Sequence, residues 1–206
     1  MTTPPLDAWQ PVSVSQLATV LGSVPARWWL SGGWAVDRWF GAQTREHGDI
    51  DVSVVRPEWR ALIDALPGRL TAYAAMSGRI LPLAEHTDDP DLHNLWVAEG
   101  DAWVLQVNIE EGDESGWRYR RDERVRRGWR DVVHLLEGVP TGSLATQLLW
   151  KSAHPLPKDD HDLAVSLPLL TAAERDWLAG TVALAHPESP WLAAGPLGPV
   201  NKPPER

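Results

Sequence analysis

Residues Trp28–Val55 read WWLSGGWAVDRWFGAQTREHGDIDVSVV, and this stretch decides the fold class. Arg27–Leu30 is short, aromatic and apolar, which predicts a buried strand. Ser31-Gly32-Gly33 breaks it, Trp34–Phe40 continues at helical spacing, and Gly41 supplies the C-terminal cap. From Asp49 to Val55, Ile50, Val52 and Val54 alternate with Asp49, Asp51 and Ser53, the period of two of a strand with one face buried. Asp49 and Asp51 then share a face while the aliphatic residues anchor the other. Two carboxylates held this way repel each other unless a cation lies between them. Mg²⁺, which takes hard oxygen ligands and shares them with phosphate, suits the pair. Alone, the two acids read more readily as a solvated pair on the outer face of an edge strand. Gly32 and Gly33 tip the balance: strand, Gly-Gly, helix presents backbone N–H groups at a helix N-terminus, where phosphate binds, with no Cβ to hold it off. Together the features describe a phosphate cradle beside a metal clamp.

Working outward, Ser13–Leu21 predicts a helix with Ser13 as N-cap. Pro57–Leu66 predicts another, with Pro57 in its first turn. Arg79–Leu83 reads as a strand, Asp88–Asp91 as a turn, and Leu95–Ala98 with Trp103–Ile109 as a hairpin across Glu99-Gly100-Asp101. Val132–Leu136 is a further strand. Three helices follow at Ser143–His154, Asp159–Ser166 and Thr171–Ala185, the last opening with the capping box Thr171…Glu174. The order predicts an α+β fold, a small mixed β-sheet flanked by helices with C-terminal helices added. The expected organisation is a core over residues 1–138, a helical part over 139–186 packed on it, and a loosely held Pro/Gly-rich tail over 187–206.

The chain has 206 residues, 19 basic against 28 acidic, for a net charge of −9. Such a surface disfavours general binding to nucleic acids or anionic membranes, yet admits a nucleotide carried by a metal ion. There is no Cys, hence no disulfide and no thiolate metal site. The histidines show no zinc-type spacing. No run approaches the roughly 20 apolar residues of a membrane span, and Met1–Gln10 lacks the apolar run of a signal peptide; the expected location is cytoplasmic. Thirteen Trp against one Phe and two Tyr predict a core built largely of indole, each buried N–H seeking an acceptor.

Gly32-Gly33-Trp34-Ala35-Val36-Asp37, Gly41 and Thr44-Arg45-Glu46-His47-Gly48-Asp49-Ile50-Asp51 resemble the antibiotic-resistance branch of the nucleotidyltransferase superfamily, namely the aminoglycoside 2″-adenylyltransferases and lincosamide nucleotidyltransferases. The resemblance is dense over Trp28–Val55 and thinner beyond. It implies a nucleotidyltransferase fold in which Ser31, Gly32 and Gly33 seat the nucleotide phosphates and Asp49 and Asp51 bind Mg²⁺. It implies Mg-dependent transfer of a nucleoside monophosphate, AMP from ATP, to a hydroxyl of a small acceptor such as an aminoglycoside. A third carboxylate on a later strand serves the family as metal ligand or base. Here that position aligns with Gln106, which neither accepts a proton usefully nor ligates Mg²⁺ as well as a carboxylate. Glu110, on the same face by strand parity, is the expected substitute, with Glu111 beside it. The alternative is a catalytically degenerate nucleotidyltransferase fold that binds or regulates, or an antitoxin-type nucleotidyltransferase.

Arg45 and Lys158 are candidate nucleotide contacts. For Arg45 the structural reading, an ion pair with Asp162 or Asp37, is the stronger one, and Lys158 equally suits a solvated helix start. Asp37 reads as a structural hydrogen-bonding group. Trp117–Arg130 (WRYRRDERVRRGWR) carries seven arginines. Acids within the run and the acidic total charge favour a solvated strand edge with internal ion pairs over a nucleic-acid patch.

Overall fold

The computed structural model describes residues 3–192 and 195–198. The chain divides into two compact units, 1–142 and 143–206.

The first unit starts with α1 (Val14–Leu21), whose N-cap Ser13 takes part in a reciprocal bond with Gln16. β1 (Trp28–Ser31) runs directly into α2 (Gly32–Phe40), which ends on Gly41 at a φ of 86°. Gly32, at a positive φ of 66°, makes the turn from β1 into α2, and Ser31, still extended, is the N-cap. β2 (Asp51–Val55) follows, then a 3₁₀ turn at Arg56–Glu58 and α3 (Trp59–Asp64). Pro57 lies in the 3₁₀ turn, so the α-helix begins later than its sequence predicts. The remaining strands are β3 (Leu70–Met76), β4 (Arg79–Pro82), β5 (Asn94–Glu99), β6 (Ala102–Asp113), β7 (Gly116–Arg118), β8 (Arg126–Arg127), β9 (Val133–Leu136) and β10 (Val139–Gly142).

One mixed sheet results, in the order β4-β3-β5-β6-β2-β1-β10-β9, with β7 and β8 branching from the end of β6. β2 is parallel to β6 and antiparallel to β1. Parity splits the central strands. Trp28, Leu30, Ile50, Val52, Val54, Val107 and Ile109 join Leu17 and Leu21 of α1 and Trp59 and Leu62 of α3 in one buried core. The opposite parity carries Ser31, Asp51, Ser53, Gln106, Asn108 and Glu110, so the apolar core on one face of β2 and β6 fixes where the polar side chains stand on the other.

Indole is indeed a main filler of the interior: Trp29, Trp103 and Trp117 are almost completely buried. Trp103 donates to the Pro5 carbonyl at 2.7 Å, Trp39 to Gly142 at 2.8 Å and Trp129 to Asp113 at 2.7 Å, as the cost of an orphaned indole N–H requires.

The second unit contains α4 (Leu144–Lys151), α5 (Pro157–Ser166) and α6 (Ala172–Ala185). Thr171 and Glu174 form the predicted capping box, closed at 2.9 and 3.2 Å. Lys151 lies between Asp159 at 2.8 Å and Asp162 at 2.9 Å, an ion-pair triad buried in this unit. Beyond residue 187 the described part is not loosely held. Trp191 is 2% exposed and donates to Asp160 at 2.7 Å, and Leu197 is 6% exposed. A large indole with a carboxylate acceptor outweighs the local Pro/Gly bias. Residues 193–194 and 199–206 of the expected tail lie outside the described residues.

No helix among the described residues is long and apolar enough to cross a membrane.

Candidate active site

At the end of β1, Ser31 stands opposite Asp51 in register. Gly32 has a φ of +66°, and a Cβ there would run into the carboxylate Oδ2 of Asp51. Glycine is therefore required twice over, for a left-handed backbone and because the Asp51 carboxylate rests where a side chain would begin. At Gly33 the same space holds the guanidinium of Arg45 and, 2.5 Å from an ideal Cβ, His47 Cε1. The bare faces of both glycines are thus covered by this chain's own site residues. The hydroxyl of Ser31, on a residue 4% exposed, is a buried polar atom with no hydrogen-bond partner. A group of that kind costs stability and is suited to a ligand oxygen.

Asp49 precedes β2 rather than lying in it. Pairing with β6 nonetheless starts at Ile50, whose carbonyl accepts the Gln106 N–H at 2.9 Å. Ile50 is fully buried and the acids on either side of it are half-buried. The Asp49 carbonyl accepts the indole N–H of Trp34 at 3.1 Å, tying the approach to β2 onto α2.

Gln106 is directly across from Asp51 in the parallel pair, with Asn108 opposite Ser53 and Glu110 opposite Val55. Trp96 Nε1 donates to Gln106 Oε1 at 3.0 Å, Gln106 Nε2 to Asn108 Oδ1 at 3.0 Å, and Asn108 Nδ2 to Asp51 Oδ1 at 3.1 Å. The relay has a donor-only indole at one end and a carboxylate at the other, so the orientation of both amides is determined. Trp96 is held by Trp9 and Trp103, at centroid distances of 4.9 and 5.2 Å. Gln106 therefore positions Asn108, and Asn108 positions Asp51.

Glu110 does not join this end of the sheet. Its carboxyl receives the Trp117 indole N–H at 3.0 Å and the Ser53 hydroxyl at 3.5 Å. Burial pushes its pKa up to about 7, opposed by the Trp117 bond and the nearby Arg120 charge. Its register partner is four residues beyond that of Gln106, about 13 Å along a strand. The substitution expected from parity fails because strand rise, not face alone, sets reach. Glu111 is engaged by Arg56 at 2.6 Å. Among the described residues no three His, Cys, Asp or Glu side chains form a metal-holding group.

Around α2, His47 Nε2 meets Asp37 Oδ2 at 2.5 Å, both side chains being nearly inaccessible. Arg45 Nη1 lies 3.0 Å from His47 Nδ1. An arginine can only donate, so Nδ1 is the acceptor and the ring proton sits on Nε2, donated to Asp37. Asp37 also accepts the Thr44 amide at 3.1 Å and its hydroxyl at 2.6 Å. Trp34 lies over His47 at 4.5 Å. Asp37 is thus the structural hydrogen-bonding group its sequence suggests, with His47 and Thr44 as partners, and the chain Asp37–His47–Arg45 brings the guanidinium to Gly33. Lys158 is an exposed residue in the first turn of α5. The contributions of Asn108 and Trp96 leave no motif in the sequence; only strand parity marks Asn108.

The profile of the aminoglycoside-2″-adenylyltransferase family matches residues 13–165. The chain belongs to this family. The match takes in β1, α2, β2 and β6, all the elements just described. This aminoglycoside-2″-adenylyltransferase family member is 29% identical over 136 residues to a lincosamide resistance protein from Staphylococcus haemolyticus, covering 65% of this chain and 79% of the relative. It is 33% identical over 69 residues to a 2″-aminoglycoside nucleotidyltransferase from Klebsiella pneumoniae, covering 32% of this chain and 39% of that protein. Its fold is similar to that of ANT(2″)-Ia, solved with adenylyl-2″-tobramycin, at a TM-score of 0.55 and 12% identity over 83% of this chain and 95% of the other. It is also similar to the lincosamide antibiotic adenylyltransferase LnuA, lincomycin-bound, at 0.52 and 20% identity over 76% and 97%. The family member has a nucleotidyltransferase fold, of α+β class.

Proposed function

We propose that this protein transfers a nucleoside monophosphate, AMP from ATP, to a hydroxyl of a small cytoplasmic acceptor, an antibiotic of the aminoglycoside or lincosamide type. The observation that carries the reading is the junction of β1 and α2. There the orphaned Ser31 hydroxyl, the Asp51 carboxylate against Gly32 and the Arg45 guanidinium over Gly33 converge on one helix N-terminus. Ser31, Gly32, Gly33 and Arg45 seat the triphosphate. Asp49 and Asp51 hold Mg²⁺. Two carboxylates fit that ion, which commonly takes one or two from the protein and the rest from substrate phosphates and water. When bound, Mg²⁺ neutralises charge on the phosphates during displacement of pyrophosphate. The residues of the chain fix geometry: Asn108 holds one Asp51 oxygen by its amide, leaving the carboxylate oriented before substrate arrives.

A second reading, a nucleotide-binding protein that has lost turnover, is favoured by Gln106, an amide directly across from Asp51 with its orientation locked by Trp96. Incubation with labelled ATP, Mg²⁺ and a panel of aminoglycosides and lincosamides separates the two. Labelled acceptor with release of pyrophosphate supports transfer. Saturable Mg-ATP binding without labelled acceptor supports the second reading, and absence of Mg-ATP binding overturns both.

A further inference from the structure

The arginine-rich stretch that the transfer reaction leaves unused folds into the β7–β8 hairpin. Beside it is a cleft of about 200 Å³ whose charged wall is Arg118, Arg126, Arg127 and Asp113. On a protein of net charge −9, this wall has a surplus of two positive charges. Arg118 and Arg126 are direct cross-strand partners, and like charges placed opposite one another destabilise a strand pair. Neither is neutralised closely. Arg118 reaches Glu111 only at 3.8 Å, and Arg126 donates to the Glu123 carbonyl at 3.2 Å. Asp113 is turned onto its own loop, accepting the Ser115 amide at 2.8 Å and its hydroxyl at 2.5 Å. The hairpin is also closely built: a Cβ on Gly116 would strike the Arg127 carbonyl at 2.5 Å. The Trp129 indole N–H donates to the Asp113 carbonyl at 2.7 Å. Two arginines side by side on one face of the hairpin, both lining a formed cleft, match an oxyanion that both can fork onto.

We propose that this cleft binds a small dianionic oxyanion, a phosphate group presented as the free ion or as a monoester. It is separate from the Asp51 site: β7 joins β6 at Glu111–Asp113, five or more residues past Gln106 and so about 16 Å along the strand.

Calorimetric titration of the full chain with inorganic phosphate, and in a second arm with glycerol phosphate, at constant ionic strength tests the proposal. Saturable binding at millimolar concentration is expected, weakened about tenfold or more in Arg118→Gln and in Arg126→Gln, the loss that follows removal of a charged hydrogen-bonding partner. Asp51→Asn retains it. In phosphate-free buffer Arg126→Gln melts at or above the temperature of the parent, because the like-charge pair is relieved. Equal affinity for both ligands assigns the site to the phosphate ion, and tighter glycerol phosphate binding assigns it to a monoester. No saturable heat overturns the proposal. So does affinity unchanged in Arg126→Gln, an exposed position that decides the matter if Arg118→Gln fails to fold. Loss of phosphate binding in Asp51→Asn instead moves the phosphate to the nucleotide site and overturns it as well.

Discussion

Replacing Glu110 by Gln should make the protein more stable in alkaline than in acidic solution relative to its parent. Glu110 is 5% exposed, and its carboxyl is bonded to Trp117 and Ser53. Its pKa rises from 4.5 to about 7 because burial penalises the charged form. Between these values the native state keeps a proton that the unfolded chain has released. The stabilisation by the neutral carboxyl is complete below pH 4.5 and is lost as the pH rises through 7. At about 1.4 kcal/mol per pH unit, the loss between about pH 5 and pH 8 is roughly 2–3 kcal/mol. A glutamine side chain in its place keeps an acceptor for the indole and nearly the same volume but cannot ionise. Urea unfolding at the two pH values, compared between parent and Glu110→Gln, cancels every other titrating group. The variant's relative stability should improve by about 2 kcal/mol on going to the higher pH. A parent–variant difference that stays the same at both values would refute the assignment of Glu110 as a buried, neutral-leaning carboxyl.

Gly32 and Gly41 make a matched pair: both have positive φ, but a Cβ on Gly41 meets nothing within 4 Å. Each Gly→Ala change should cost about 1–2 kcal/mol of backbone strain in urea unfolding, and only Gly32→Ala should also abolish Mg-ATP binding, by displacing Asp51. Lys151→Met takes the shared cation away from two buried carboxylates, Asp159 and Asp162; a loss of about 3 kcal/mol or more is expected in denaturant titration. Asn108→Ala releases one Asp51 oxygen and should weaken Mg-ATP binding about tenfold in calorimetry, with the melting temperature of the free protein changed far less.

The elements that position the site were legible because each has a strong local signal. Aliphatic alternation in β2, the aromatic run of β1 and the αL cap at Gly41 all follow from side-chain chemistry within a few residues. β3 carried no such signal: its small residues Thr71, Ala72, Ala74 and Ala75 suit a helix equally, and pairing with β4 and β5 decides their state. β10 contains Pro140 and Gly142 yet lies between β1 and β9; the proline is tolerated in a four-residue strand whose partners sequence cannot show. In the site, spacing located Asp51 and Gly32. The relay from Trp96 to Asp51 depends on register between strands, and the Asp37–His47 pair on how the loop after α2 folds back and which way the ring turns; neither shows in residue spacing.

The central claim is that Asp51, against Gly32 and beside the orphaned Ser31 hydroxyl, forms a metal-nucleotide site, and a melting-temperature titration with Mg-ATP tests it most directly. Ligand at about a hundred times its Kd stabilises by roughly 2.7 kcal/mol, which for a chain of this size raises Tm by about 5–10 °C. The parent should show that rise and Asp51→Asn, still folded, should not. No rise in the parent at saturating Mg-ATP, or an undiminished rise in Asp51→Asn, would contradict the account.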